Sequence, residues 1–562
     1  MNTQLFARSG LAVLFLAAAG GAAFAQPDQA VGAQAVPDAR EARINQLEAQ
    51  VRQLSGMVSE LSDEITDLKR GQVAQTENIQ TIQDRKPAFL ASLAAGKPSI
   101  ASSDGKFSVN FHGIMQLDTA AYFQRGPGPV GTDWRRDGPA LGASASNVDA
   151  VHARNLKDGD VFRRARIGID GTAFGDWDYR FIFDFGGAGV ENAGQVYETW
   201  VQYSGLKPLH FRVGAFSPSI GMEDQASTNS MPFIERSASS DIARGLAAGD
   251  TRTAAEIFAG GDHWLISGAV TGKTIGVVST GVIPSTLGAT AGIGTAQTFG
   301  DQLGFVGRFA GTPFHGRDWL VHVGVHGSYV IHPAAVVGPP NNAPLPTALN
   351  NQVIAFNSTP EIRVDATRFI NTGSINARHA STLGAEFAVQ KGPLIAQAEY
   401  EDFHVTRSDS TPAAPLADPS FHGFYVEGLW MLTGEQRKYN PTTAAFDAPP
   451  VAHPFSLTGG GLGAWELGFR YSDMNLNYRP GLAGSFQTGS GIRGGDEQNF
   501  NVSLSWYPVP IVRFLLDYQH VIVDRLSPAA NAAGNATWLL PAPGLQIGQH
   551  FDVLAVRSQV AF

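Results

Sequence analysis

Two periodicities divide the chain. Ile44, Leu47, Val51, Leu54, Val58, Leu61, Ile65 and Leu68 fall at alternating spacings of three and four, and the register continues through Gln72 and Gln75 to Ile79 and Ile82. Such a seam predicts a coiled coil over 40–86, with branched residues and Leu leaning toward two strands and the Gln layers setting register. From Phe107 onward the period is two. Strands are predicted near 107–123, 161–174, 177–187, 195–205, 208–217, 253–260, 263–271, 301–312, 317–331, 380–391, 394–407, 421–433, 464–477, 498–508, 511–524 and 551–562, sixteen in all. Their connections are tight at Gly175-Asp176, Leu206-Lys207, Gly261-Asp262, Pro313 to Gly316, Gly392-Pro393 and Val509-Pro510, and long at 124–160, 218–252, 272–300 and 332–379. Short turns at one end and long loops at the other are the signature of an outer-membrane barrel. Gly434 to Gly463 breaks the rule, being long where a tight turn is due, and a hairpin hidden there or in 272–300 would raise the count to eighteen.

Within strands the two faces differ in chemistry. Tyr179, Phe181, Phe183 and Phe185 alternate with Arg180 and Asp184, and the same pattern recurs in 465–471 and 512–518. A strand wall in lipid must close on itself, because an open edge would leave backbone groups unpaired. The expected fold is therefore all-β: a transmembrane antiparallel β-barrel of about 16 strands at 106–562, preceded by a short α-helical coiled coil.

The N-terminus supplies an address. Met1 to Ala25 carries Arg8, an apolar stretch from Leu11 to Ala19 and an Ala23-Phe24-Ala25 cleavage site, which reads as a secretory signal. Linkers are expected at 26–39 and 87–105. The 562 residues contain no Cys, 64 Gly and only 16% charged residues. Disulfides and thiolate metal sites are excluded. After Gly20 no apolar run reaches the roughly 20 residues of a membrane-spanning helix. The net charge of -10, which becomes -11 when Arg8 is removed with the signal, opposes nucleic-acid binding. These features place the protein in the bacterial outer membrane with its coiled coil in the periplasm.

Several blocks resemble the phosphate-selective porin O and P family. They are Phe162 to Gly171 with Trp177 to Phe181, Gly214 to Glu223 with Phe233 to Ser237, Leu432 to Glu435, and Ala464 to Ser472. The resemblance implies a water-filled channel for passive diffusion of small polar solutes, anions such as phosphate among them. It also implies a homotrimer and an extended segment at 434–463. Relatives often carry Lys where this chain has Ser217. The terminal Phe562 resembles the signal read by the barrel-assembly machinery.

Parity nominates pore-lining residues. Arg164, Arg166, Arg180, Asp184, Glu198, Arg212 and Arg308 are expected to face the lumen, with Trp200, Gln202 and His210 beside them. Such charges either set selectivity or brace the wall as ion pairs. Arg163 is expected on the lipid side, reaching lipopolysaccharide phosphate. The third long loop, 218–252, is expected to enter the lumen with Glu223, Asp224, Glu235, Arg236, Asp241 and Arg244 at a constriction. His322 and His326 stand about 13 Å apart along a strand, too far to share one metal. No phosphate-binding loop or nucleophile motif is present, so neither an enzyme nor a cofactor is expected. The alternative is a structural or adhesive barrel, tethered by its coiled coil and conducting nothing.

Overall fold

The structure, a computed structural model, describes residues 37–84, 88–124, 156–187, 194–249, 252–274, 302–333, 352–365, 367–528 and 543–562. The expected signal peptide lies outside the described residues. Two units are distinct, 1–86 and 87–562. In the first, Pro37–Asp84 forms a single 48-residue helix, α1. Its seam residues from Ile44 to Leu68 are all exposed.

The second unit is a closed antiparallel barrel. Its wall runs β1 (Ser108–Gln124), β2 (Gly159–Ala173), β3 (Trp177–Asp184), β4 (Gln195–Leu206), β5 (Leu209–Phe216), β6 (Arg252–Gly260), β7 (Trp264–Thr274) and β8 (Leu303–His315). It continues through β9 (Trp319–His332), β10 (Ile375–Lys391), β11 (Leu394–Arg407), β12 (Ser420–Met431), β13 (Ala464–Tyr478), β14 (Ile492–Val509), β15 (Val512–Asp524) and β16 (His550–Ala561). Each strand pairs with the next, and β16 closes onto β1 from Phe551 opposite Gln124 to Ala561 opposite Ile114. At the seam Phe562 exchanges backbone hydrogen bonds with Gly113 at 3.0 and 3.1 Å. Its ring covers Gly113, where any side chain would collide with it.

The outward face is apolar, with Phe111, Phe181, Phe211, Ile257, Phe309, Val325, Phe387, Val426 and Phe469 exposed. Trp177, Trp264, Trp319, Trp430, Trp465 and Trp506 gather at the tight-turn end. They form the aromatic belt expected at a membrane interface.

Two expectations are corrected, and one open alternative is closed. Residues 88–105 are more than a linker: Phe89–Ser92 and Ser99–Ser102 form a hairpin whose second strand pairs with β1. The segment 434–463 does contain a small hairpin, Tyr439–Asn440 with Ala445–Phe446, but it lies within the barrel and adds no wall strand. Arg163 does not face lipid. The register between β1 and β2 shifts after Gln116 opposite Arg164, so that Leu117 faces Phe162. This β-bulge leaves Arg163 unpaired in the ladder and turns it inward beside Arg164. Parity counted through a bulge gives the wrong face.

The hydrophobic core sits inside the barrel. Ile234, Ile242 and Leu246 from 217–249 and Phe356, Ile362, Phe369 and Ile370 from 352–374 pack on Phe403, Phe421, Leu476 and Val523 of the wall.

Candidate functional site

Three segments enter the lumen. From the loop end comes L3, residues 217–249, with the short helix α2 (Met222–Gln225) and the helix α3 (Ala238–Ala247). Ser237 caps α3 by accepting from the Ser240 amide, and its own amide and hydroxyl donate to the Glu223 carboxylate. L3 leaves β5 yet bonds the far wall. The Ile234 amide donates to Asp517 at 3.1 Å, Arg513 to the Met231 carbonyl at 2.6 Å and Gln116 to the Thr228 carbonyl at 3.1 Å. It therefore crosses the lumen.

The second segment, 352–374, also comes from the loop end. Glu361 sits in the left-handed region at φ 54. Its carboxylate accepts from Ser472, from Asn501 at 2.8 Å and from Arg470 at 3.4 Å. The third, 432–463, enters from the tight-turn end. Arg437 bonds both Glu466 oxygens at 2.6 Å, and Arg308 donates to the Thr443 and Ala444 carbonyls at 2.7 and 2.8 Å. Tyr439 meets His322 at 2.8 Å.

These insertions split the inward face into two regions. Along β8 to β13 it is sealed. Arg308 grips Glu386, His326 bridges Glu386 and Glu401 at 2.8 and 2.7 Å, and His322 reaches the other Glu386 oxygen at 3.1 Å. Arg470 collects Glu223, Glu361 and Glu427 at 2.5, 3.4 and 2.7 Å. Glu399 accepts from the Glu223 amide, and its second oxygen is buried without a hydrogen-bond partner. With the Arg437–Glu466 pair, three guanidiniums and two imidazoles thus stand among seven carboxylates in a region cut off from water.

Along β1 to β5, toward the tight turns, inward groups still touch solvent. The side chains of Arg180, Arg212, Asp170 and Glu198 are 34, 22, 19 and 15% exposed. Arg180 pairs with Glu198 at 3.0 Å and Asp170 at 3.4 Å, and Arg212 with Glu256 at 3.5 Å. Trp200 lies under both guanidiniums, 5.4 Å from Arg180 and 4.6 Å from Arg212.

Where L3 meets this wall, guanidiniums converge. Glu235 is held by Arg163 at 2.6 Å, Arg557 at 3.2 Å and Arg164 at 3.4 Å, with Arg363 at 3.9 Å. Asp118 takes Arg557, Asp184 takes Arg166, Asp241 takes Arg363, and Asp224 takes Arg244 and Arg236. Burial alone would raise the Glu235 carboxyl, but Arg163 and Arg164 outweigh it and hold the group well below its ordinary value. Asp241 is likewise held down against its burial by Arg363 and Arg244. Glu361 behaves oppositely, since its burial wins over Arg470 and pushes it up.

The expected pore-lining residues therefore separate into two groups. Arg180, Glu198 and Arg212 meet solvent, whereas Arg164, Arg166, Asp184 and Arg308 are buried in ion pairs. The expected constriction residues are all brought together on L3, although Glu223 serves the sealed side. Arg363, Arg557 and Asp118 belong to the basic cluster and escaped sequence reasoning. Asp118 and Arg557 share the inward parity of directly paired positions on β1 and β16, a signal that could have found them.

A family model described as phosphate-selective porin O and P matches residues 139–562. Porin O of Pseudomonas aeruginosa is 25% identical over 402 residues, covering 69% of this chain and 83% of that protein. Among solved structures, the outer membrane channel DcaP of Acinetobacter baumannii aligns over 82% of this chain and 99% of its own, at 9% identity and a TM-score of 0.39. OprB of Pseudomonas putida aligns over 81% and 94%, at 11% identity and a TM-score of 0.42.

Proposed function

The chain belongs to the phosphate-selective porin O and P family, an outer-membrane channel rather than an enzyme, and from that premise we propose that small hydrophilic anions, phosphate among them, pass between L3 and the wall of β1 to β5. The observation that carries this reading is a charge surplus. In the ion-pair cluster that joins L3 to this wall, the seven guanidiniums of Arg163, Arg164, Arg166, Arg236, Arg244, Arg363 and Arg557 meet the five carboxylates of Asp118, Asp184, Asp224, Glu235 and Asp241. In a confined lumen such a surplus attracts anions, while charges on distant loops are screened within about 8 to 10 Å in physiological salt. Arg180, Arg212 and Glu198 line the lower passage. Arg164, Arg166 and Asp184 brace the wall and contribute its field, and Arg308 belongs to the sealed side. Conductance in planar bilayers, with phosphate, sulfate and organic acids added to chloride, tests this. Block of chloride current by phosphate supports it, and a silent barrel supports the tether reading instead.

The assembly rests on the family, with α1 as the joint. We infer a homotrimer joined in the periplasm by parallel copies of this helix. Parallel register sets Arg43 opposite Glu48 and Glu64 opposite Lys69 of a neighbour, beside the seam. Deleting residues 40–85 is expected to weaken the trimers without closing the pores, as mass measurement in mild detergent would show. Lipopolysaccharide around the barrel and the barrel-assembly machinery, acting on Phe562, complete the partners.

A further inference from the structure

The wall along the proposed passage carries opposite charge at two levels. Beside L3 the guanidiniums outnumber carboxylates, and two N–H groups buried there, Arg164 Nε and Arg557 Nη1, have no hydrogen-bond partner. Nearer the tight turns the balance inverts. Arg180 and Arg212 stand among Asp170, Asp178, Glu198 and Glu256, with His112 resting on Asp170. Gln202 links the two rows by donating to Asp178 and accepting from Arg212.

The separation of the two zones follows from strand geometry. Four residue steps along β2 separate Arg166 from Asp170, about 13 Å at a rise of about 3.3 Å. That exceeds the Debye length of about 10 Å in 0.1 M salt. A permeating ion thus meets a basic zone and then an acidic one, not their sum. Both zones lie in a water-excluding wall, where fixed charge strongly sets the local concentration of carriers.

We propose that this passage rectifies, conducting anions more readily from the loop end to the tight-turn end than in reverse, with Asp178 and Glu198 as the residues that confer direction. The inference rests on the anion-channel reading above. When anions are driven from the basic zone toward the acidic one, cations enter from the acidic mouth toward the same junction. Both carriers accumulate there and conductivity rises. The reverse field draws both away and depletes the junction. Glu198 faces the passage from β4 and Asp178 from β3, and both are partly exposed, so neither is needed to fill the core.

The test uses the whole protein in planar bilayers, oriented by labelling a loop cysteine, Ala413→Cys, from one side, since the chain has no Cys of its own. In about 0.1 M KCl the current at about 100 mV, tight-turn side positive, should exceed the opposite current roughly twofold. In about 1 M KCl, where the Debye length is about 3 Å, the ratio should fall to one. Asp178→Asn with Glu198→Gln should bring the ratio close to one in dilute salt. An open pore with symmetric or oppositely rectified current in dilute salt overturns the inference and leaves the channel reading standing. A ratio unmoved by the two neutralisations overturns the assignment to Asp178 and Glu198. Absence of current at both polarities sinks the channel reading, and the inference with it.

Discussion

The wall of β1 to β5 and the wall of β8 to β13 are written in the same alternating code, yet one meets water and the other does not. On both, inward positions are polar and outward ones apolar. Three inserted segments cover the second wall and leave the lower part of the first open. The two also differ in charge. The sealed wall places Glu223, Glu361, Glu386, Glu399, Glu401 and Glu427 against Arg308 and Arg470, whereas guanidiniums are in surplus where L3 meets the first wall. These carboxylates are buried away from solvent. Net charge describes the molecule, and the local surplus describes the channel.

If this division is right, the largest effect on stability comes from the sealed wall. Arg470→Met strands Glu223, Glu361 and Glu427 in a dry interior. Breaking a buried ion pair on one side costs about 3 to 5 kcal/mol, so the thermal unfolding midpoint in detergent should drop sharply. A midpoint unchanged within error would show that water reaches this region. On the open wall, replacing Arg164, Arg166 and Arg180 together by Gln should act on selectivity. The anion-to-cation permeability ratio should fall roughly threefold or more, since the local field sets it. An unmoved ratio would reduce these groups to braces.

The two loop-end insertions should answer pH in opposite directions. Glu235 titrates well below its ordinary value of 4.5 in the folded protein. Its contribution is thus present above pH 4.5 and is lost only as pH falls through that depressed value. Glu361 is raised, so its contribution is full below its ordinary 4.5 and is lost as pH rises through the elevated value. Limited proteolysis across pH should find 352–374 loosening toward alkaline pH while L3 stays protected into acid. Loosening of both in the same direction would contradict the account.

The smallest effect on stability is expected at the seam where the walls join. Deleting Phe562 removes a ring that is only partly buried over Gly113, worth about 1 kcal/mol. Surface levels in cells should nevertheless fall while purified protein still refolds in detergent. Normal surface levels would mean that the residue only packs.

What the sequence made legible was whatever repeats locally. All the wall strands were visible as period-two runs. What escaped was non-local. Glu361 has no periodic context, and its partners Ser472 and Asn501 lie more than a hundred residues away. The tuck of 432–463 depends on Arg437 finding Glu466 and Arg308 finding two backbone carbonyls, which no spacing rule encodes. Arg163 was misplaced because a bulge adds a residue without leaving a mark in the alternation. Parity told which side chains point inward, but not which of them would meet water.

The central claim is that the basic cluster beside L3, and not the acidity of the whole chain, governs passage. Reversal potential across a tenfold gradient of dilute KCl tests it most directly. The account predicts a potential of the sign set by chloride, moving toward zero when Arg164 and Arg166 are neutralised and holding when Glu427 on the sealed wall becomes Gln. A potential of the sign set by potassium in the unaltered protein would contradict it.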